Sequence, residues 1–154
     1  KALGGGIMPV SMFLARKDVM DIFVPGTHGS TFGGNPLAAA VGTEALKILI
    51  EDNLAERSKE LGEYLVEKLG CIDSPLISEI RGAGLFVGID IDPALGSARK
   101  VCERLMDRGL LSKETHRTVV RLAPPLIVTR EQLDWAVDQV REVLHEIDEL
   151  RLAS

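Results

Sequence analysis

The sequence predicts an α/β fold in which helices pack on a small β-sheet. Apolar residues recur at helical spacing over residues 36–69 and again over 130–150. Short apolar runs, one of which strictly alternates, lie between these two segments. The resulting order is helix, strands, helix, strand, helix. Elements in this order bury their apolar sides by packing helices against a sheet.

The first third of the chain is rich in loops and nearly uncharged. Residues 1–50 hold 8 of the 15 glycines and carry four basic and three acidic groups. Within them, the apolar run Val10 to Ala15 predicts a short buried strand. Small and polar residues from Gly26 to Asn35 predict a loop.

A long helical segment begins after this loop. Asn35 is a good N-cap, and Pro36 is favoured at the first helical position. Apolar residues continue at helical spacing to Leu69, with an expected break near Asp52–Asn53. Gly70 is a plausible end of the segment.

Two strands and a helix are predicted next. The strands are Ile77 to Ile80 and Leu85 to Ile91, joined by Arg81–Gly84. The alternation of the second strand places on one face Leu85, Val87, Ile89 and Ile91. Ser97 to Arg108 predicts a helix that ends at Gly109, with these inward residues: Val101, Cys102, Leu105 and Met106.

The last elements are a strand and a helix. Val119 to Leu122 predicts the strand, which Pro124–Pro125 closes. Thr129 and Gln132 form a capping-box pattern at the start of the helix. The residues this helix is expected to bury are Leu133, Ala136, Val137, Val140, Val143, Leu144, Ile147 and Leu150.

Composition excludes several classes of function. With 23 acidic and 18 basic residues the net charge is −5, and a generic nucleic-acid partner would require a basic face. No apolar run reaches the roughly 18 to 20 residues that span a bilayer, and no signal-peptide pattern is visible. The two cysteines, Cys71 and Cys102, form no CxxC pair, which favours a reduced intracellular protein, in the cytoplasm or in the mitochondrial matrix of a eukaryote.

The start of the chain and its histidines allow two further expectations. The sequence opens at Lys1 and enters a glycine cluster at once, which favours the C-terminal part of a longer protein over a processed mature chain. The three histidines, His28, His116 and His145, lack the spacing of metal ligands, so no metal site is expected.

Three features could carry chemistry, and each has a simpler alternative. Lys1 beside small residues could be a desolvated nucleophilic amine, although most lysines are solvated. Ser30 and Thr31, ahead of two glycines, could bind a phosphate or could belong to an ordinary capped loop. Arg121 inside an apolar strand could face a pocket and bind a carboxylate, or form a structural salt bridge. For Arg81 a structural role is favoured.

Four segments together resemble the class III pyridoxal-phosphate aminotransferases. They are KALGGG at residues 1–6, PGTHGSTFGGNP at 25–36, RGAGL at 81–85 and RLAPPL at 121–126. They occur in the family's order over nearly the whole chain, and HGSTFGGNP is highly specific. Residues 111–116, LSKETH, resemble the members that act on ornithine more than those that act on acetylornithine. An enzyme that acts on acetylornithine, or on succinylornithine, is the alternative.

The resemblance implies the C-terminal part of a fold-type I transferase, an α/β fold. Residues 1–52 would be the end of the large cofactor domain and the start of the interdomain helix, and residues 53–154 the small C-terminal domain. The family acts as homodimers with shared active sites. Because the rest of the cofactor domain would be missing, the chain alone should be inactive. A non-catalytic dimerisation module is the second alternative.

The resemblance also assigns roles to the candidate residues. Lys1 would be the lysine that binds pyridoxal 5′-phosphate as a Schiff base and moves the proton. Thr31, with Ser30, would reach the cofactor phosphate of the neighbouring subunit, and Arg121 would bind the α-carboxylate of 2-oxoglutarate. The implied reaction transfers the δ-amino group of L-ornithine to 2-oxoglutarate, which gives glutamate semialdehyde and glutamate.

Overall fold

The structure is a computed structural model that describes residues 1–153. The chain divides into two compact units, one of residues Lys1–Asn53 and one that begins at Leu54. Among the described residues no helix is long and apolar enough to cross a membrane.

The first unit contains two helices, α1 (Lys17–Met20) and α2 (Pro36–Glu51). The predicted start of the long helix is confirmed, because the Asn35 side chain accepts a hydrogen bond from the Ala38 amide at 2.8 Å. The predicted break is also confirmed. The helix ends at Glu51, and Asn53 has a φ of 49°, in the left-handed region that interrupts a helix.

The predicted strand from Val10 to Ala15 is wrong. Val10 forms only an isolated parallel bridge to Ala2, and the residues that follow it carry exposed side chains. An apolar run forms a strand only where a neighbouring strand takes its backbone hydrogen bonds, and the first unit supplies none. In this unit only Gly4 and Gly42 are buried, so it encloses no large apolar side chain.

The second unit is a four-stranded antiparallel sheet covered by three helices. The strands lie in the order β1-β2-β4-β3. In chain order the elements are α3 (Leu54–Gly70), β1 (Ile77–Ala83), β2 (Phe86–Ile91), α4 (Ala98–Asp107), β3 (Lys113–Thr115), β4 (Val119–Leu122) and α5 (Arg130–Leu152). Three-residue β3 is the element of this unit that the sequence pattern missed.

The turn between β1 and β2 is tied to α3. It passes through Gly84, whose φ is +54°, and the Leu85 amide donates to the Ser58 hydroxyl at 3.1 Å. A Cβ on Gly84 would lie 2.6 Å from that hydroxyl oxygen, so both conformation and space require glycine here.

The core lies between one face of the sheet and the three helices. The predicted alternation of β2 is confirmed, since Leu85, Val87, Ile89 and Ile91 are all buried. Helix α5 begins with the predicted capping box, in which the Gln132 amide donates to Thr129 Oγ1 and the Thr129 amide to Gln132 Oε1. Helical core residues include Leu65, Leu69, Val101, Leu105, Leu133, Val137, Val140 and Leu144.

Two residues expected inside are exposed. Met106 is 54% and Leu150 is 56% exposed. Helix α4 buries Ala98, Val101 and Leu105, and Met106 projects about 100° away from Leu105 around the helix axis. In α5 the last buried residue is Leu144, so Leu150 lies beyond the part of the helix that the core covers.

Candidate functional site

The face of the sheet turned away from the helices carries a row of cationic residues. The strand register pairs Arg81 with Gly88, Gly88 with Arg121, and Arg121 with Lys113. Directly opposed residues of antiparallel strands point to the same face. The order across this face is therefore Arg81, Gly88, Arg121, Lys113, which we call the cationic row.

A cavity of about 580 Å³ opens over part of this face. Its lining residues are Arg81, Gly82, Ala83, Phe86, Val87, Gly88, Thr115, His116, Val119 and Arg121. Gly88 lies between the two arginines and has no side chain, and a Cβ there would lie only 3.0 Å from Val119 Cγ1. The sequence prediction that Arg121 faces a pocket is confirmed.

The two arginines of the row have different surroundings. The Arg81 guanidinium binds the carboxylates of Glu79 at 2.7 Å and Asp90 at 3.3 Å, in agreement with a structural role. The Arg121 guanidinium lies 5.9 Å from the centre of the Phe86 ring, a cation–π distance. Within residues 1–153 Arg121 forms no ion pair, so its hydrogen-bond donors are available to a ligand.

Thr115 and His116 reach the same cavity from the turn between β3 and β4. His116 and Arg117 have φ values of 52° and 70°, a left-handed pair that makes the turn tight. Sequence reasoning connected Thr115 and His116 with a substrate only through their resemblance to a family string. The cross-strand register that brings them near Arg121 has no local sequence signal.

Lys1 belongs to the first unit, in a small loop at the beginning of the chain. The Leu3 amide donates to the Val10 carbonyl at 3.2 Å, and a Cβ on Gly4 would lie 1.8 Å from the Met8 carbonyl oxygen. The loop therefore turns back closely on itself. Lys1 is exposed, so the tight pocket considered from the sequence is not formed around it by residues 1–53.

Ser30 and Thr31 lie in the predicted loop before α2. The Ser30 hydroxyl accepts a hydrogen bond from the Gly33 amide at 3.0 Å, as in an ordinary capped turn. In the part of the chain that the structure describes, the exposed Thr31 hydroxyl has no hydrogen-bond partner. No hydrogen bond in that part joins Lys1 to either residue.

Two further titratable clusters of the second unit join helices. The Tyr64 hydroxyl donates to Asp134 at 2.6 Å, which raises the pKa of Tyr64 and lowers the pKa of Asp134. Arg108 of α4 binds Glu142 and Glu146 of α5. Burial raises the pKa of the Cys102 thiol. The hydrogen bond and the ion pairs connect α3 and α4 to α5, and none of these residues lines the cavity over the sheet.

The fold is that of an α/β aminotransferase. The acetylornithine aminotransferase of Elizabethkingia anophelis superposes on 95% of this chain with a TM-score of 0.84 and 42% identity, over 39% of that chain. The ornithine aminotransferase of Toxoplasma gondii, in a structure with partial occupancy of PLP at its active site, covers 97% of this chain with a TM-score of 0.88 and 40% identity, over 36% of its own length.

The chain belongs to the class-III aminotransferase family, whose sequence description matches residues 1–144. The ornithine aminotransferase of Macrococcus caseolyticus is 57% identical over 143 residues, which are 93% of this chain and 35% of that protein. The chain thus spans about a third of the length of the curated relatives it matches.

Proposed function

We propose that the intact protein is a pyridoxal-phosphate-dependent ornithine aminotransferase. It would transfer the δ-amino group of L-ornithine to 2-oxoglutarate, which gives glutamate semialdehyde and glutamate. The observation that carries this proposal is the unpaired Arg121 guanidinium in a cavity of a chain 57% identical to a named ornithine aminotransferase. Acetylornithine aminotransferase is the second candidate, because a structure with that name is 42% identical.

The residues present fit the cofactor in their chemistry. When bound, pyridoxal phosphate supplies an electron sink that labilises bonds at the amino-bearing carbon. Lys1 offers an exposed primary amine, and among the residues described it forms no ion pair that would occupy it. Among the residues described, the Thr31 hydroxyl has no hydrogen-bond partner. Gly29, two residues earlier, has open space around it. Lys1 would hold the cofactor, and Thr31 with Ser30 would bind its phosphate from the neighbouring subunit.

Lys1 would also move the proton. Once the substrate amine has replaced Lys1 on the cofactor, the Lys1 Nζ would be free to remove a proton from the amino-bearing carbon of the substrate. The same amine would later return a proton. It acts first as a general base and then as a general acid. This role requires an amine near the reacting carbon, and the flexible lysine side chain supplies it.

Arg121 would bind the α-carboxylate of 2-oxoglutarate. A guanidinium presents two parallel N–H groups that match the two oxygens of a carboxylate. The Arg121 guanidinium lies over the Phe86 ring, 5.9 Å from its centre. L-Ornithine brings its δ-amine to the reaction, so its half-reaction has less need of this cation.

In the whole protein, this chain would be the C-terminal part. Residues 1–52 would complete the large cofactor domain and begin the interdomain helix, and residues 53–154 would form the small domain. The protein would be a cytoplasmic homodimer with shared active sites, or would lie in the mitochondrial matrix of a eukaryote. This chain alone would be inactive. The joint presence of Lys1, Thr31 and Arg121 favours an enzyme over a dimerisation module.

Two measurements on the intact protein test the proposal. Borohydride reduction followed by peptide mass spectrometry should place the cofactor on Lys1, and a label on Lys17 or Lys113 would refute the assignment. The kcat/KM for L-ornithine should exceed that for N-acetyl-L-ornithine. The opposite preference would establish the second candidate and leave the role of Lys1 unchanged.

A further inference from the structure

Lys113 lies directly opposite Arg121 in the pairing of β3 with β4. Their Cβ atoms are therefore about 4.5 to 5.5 Å apart, and their side chains emerge on the same face. Both residues are exposed. Like charges directly opposite each other destabilise a sheet, so this pair is unfavourable unless an anion compensates it.

The acidic residues of the sheet do not compensate this pair. Glu79 and Asp90 bind Arg81, and Glu114, which neighbours Lys113 on the opposite face of β3, binds Arg99 at 3.4 Å. Over residues 1–153 neither Lys113 nor Arg121 has an ion-pair partner. The two adjacent positive charges of Lys113 and Arg121 are therefore available to an anion from outside this part of the chain.

We propose that Lys113 and Arg121 together bind one carboxylate of the 2-oxo acid, an inference that rests on the proposed function and names a further binding residue for it. An ionised carboxylate has about four acceptor sites. The guanidinium fork occupies two of them, and the Lys113 ammonium, a compact charge with rotatable donors, reaches the others.

The register explains why Lys113 would supply the second cation. On the other side of Arg121, its cross-strand neighbour is Gly88, which has no side chain. The residue beyond Gly88 across the sheet is Arg81, whose charge is already neutralised by Glu79. Thr115, two residues along β3, shares the face of Lys113 and lines the cavity. The side of β3 that carries Lys113 is therefore the side on which the cavity opens.

Two adjacent cations discriminate between the two substrates. They attract the carboxylate of a 2-oxo acid and repel a protonated amine, so the charge of Lys113 should matter more for 2-oxoglutarate than for L-ornithine. This gives a physical role to one residue of the LSKETH string.

The test uses the intact holoenzyme with three variants. Lys113→Met keeps side-chain length and removes the charge, and Lys113→Arg keeps the charge. Lys100→Met is the matched control, since Lys100 is an exposed lysine of α4 outside the cavity lining. Two quantities are measured at low and high salt: the dissociation constant of glutarate, an unreactive dicarboxylate, and the apparent dissociation constant of 2-oxoglutarate in single-turnover experiments.

Lys113→Met should weaken the binding of both ligands about 3- to 10-fold at low salt, the range expected for an exposed charge acting with a bidentate partner. The difference from wild type should shrink at high salt because exposed charges are screened. Lys113→Arg should restore binding, and Lys100→Met should not change it. The ornithine half-reaction should change less than the 2-oxoglutarate half-reaction.

The outcomes separate this inference from the proposed function. If the wild-type enzyme uses 2-oxoglutarate and Lys113→Met binds both ligands as Lys100→Met does, the two-cation subsite is refuted and the function stands. If the wild-type enzyme does not aminate 2-oxoglutarate, the function fails, and the inference about its substrate fails with it. The urea midpoint of unfolding is measured for every variant, and equal midpoints would show that the substitutions do not destabilise the fold.

Discussion

Replacement of Arg121 by alanine should impair the second half-reaction far more than the first. The guanidinium lies exposed in the cavity, 5.9 Å from the centre of the Phe86 ring, and has no acidic partner within residues 1–153. A carboxylate bound there would lose hydrogen bonds to a charged donor, each worth about 1.5 to 3 kcal/mol. One such loss corresponds to a decrease of about 10- to 100-fold in kcat/KM for 2-oxoglutarate.

The assay is single-turnover kinetics of each half-reaction with the intact protein. Arg121→Lys should be intermediate, since it keeps a charge and loses the bidentate fork. Arg104→Ala, which removes a guanidinium of α4 that contacts Glu146 at 3.9 Å, is the control and should leave both half-reactions close to wild type. Equal losses with 2-oxoglutarate and L-ornithine in Arg121→Ala would contradict a role in carboxylate recognition.

Three further predictions concern other parts of the chain. Thr31→Ala should weaken cofactor binding by about 1.5 to 3 kcal/mol, measured by cofactor titration, and unchanged affinity would rule out the phosphate role. Gly84→Ala should lower the free energy of unfolding by about 1 to 3 kcal/mol in urea, because its φ is +54°, whereas Gly70→Ala, with open space around it, should not, and equal effects would contradict the packing argument. The hydrogen bond from Tyr64 lowers the pKa of Asp134 in the folded state, so this group contributes stability above its ordinary pKa that is lost as the pH falls through the lower folded value. Tyr64→Phe removes the main cause of that shift and should reduce the loss of stability on acidification; an unchanged pH profile would show that the hydrogen bond contributes nothing.

Local sequence signals determined the four longer helices, α2 to α5, and the buried face of strand β2. Asn35 and Thr129 cap their helices as predicted, since a cap needs only a side chain and the next three amides. The alternation of β2 predicted its buried face for a similar reason, because successive side chains of any strand point to opposite faces.

The same reasoning was wrong where an element depends on distant residues. Val10 to Ala15 has a strand-like composition and forms no strand, because no neighbour takes its hydrogen bonds. In contrast, Lys113–Thr115 forms β3 because β4 pairs with it. Three residues are too few for an alternating pattern that would predict a strand. Strand formation depends on two segments that pair, so the sequence of one segment alone does not determine it.

The candidate site divides in the same way. The sequence alone indicated Lys1, Ser30, Thr31 and Arg121, because residue type and a specific family string mark them. Only the tertiary structure placed Gly88 and Lys113 on either side of Arg121, Phe86 against its guanidinium, and Glu79 with Asp90 on Arg81. These neighbours are set by cross-strand register, and a shift of one residue would turn every one of these side chains to the other face.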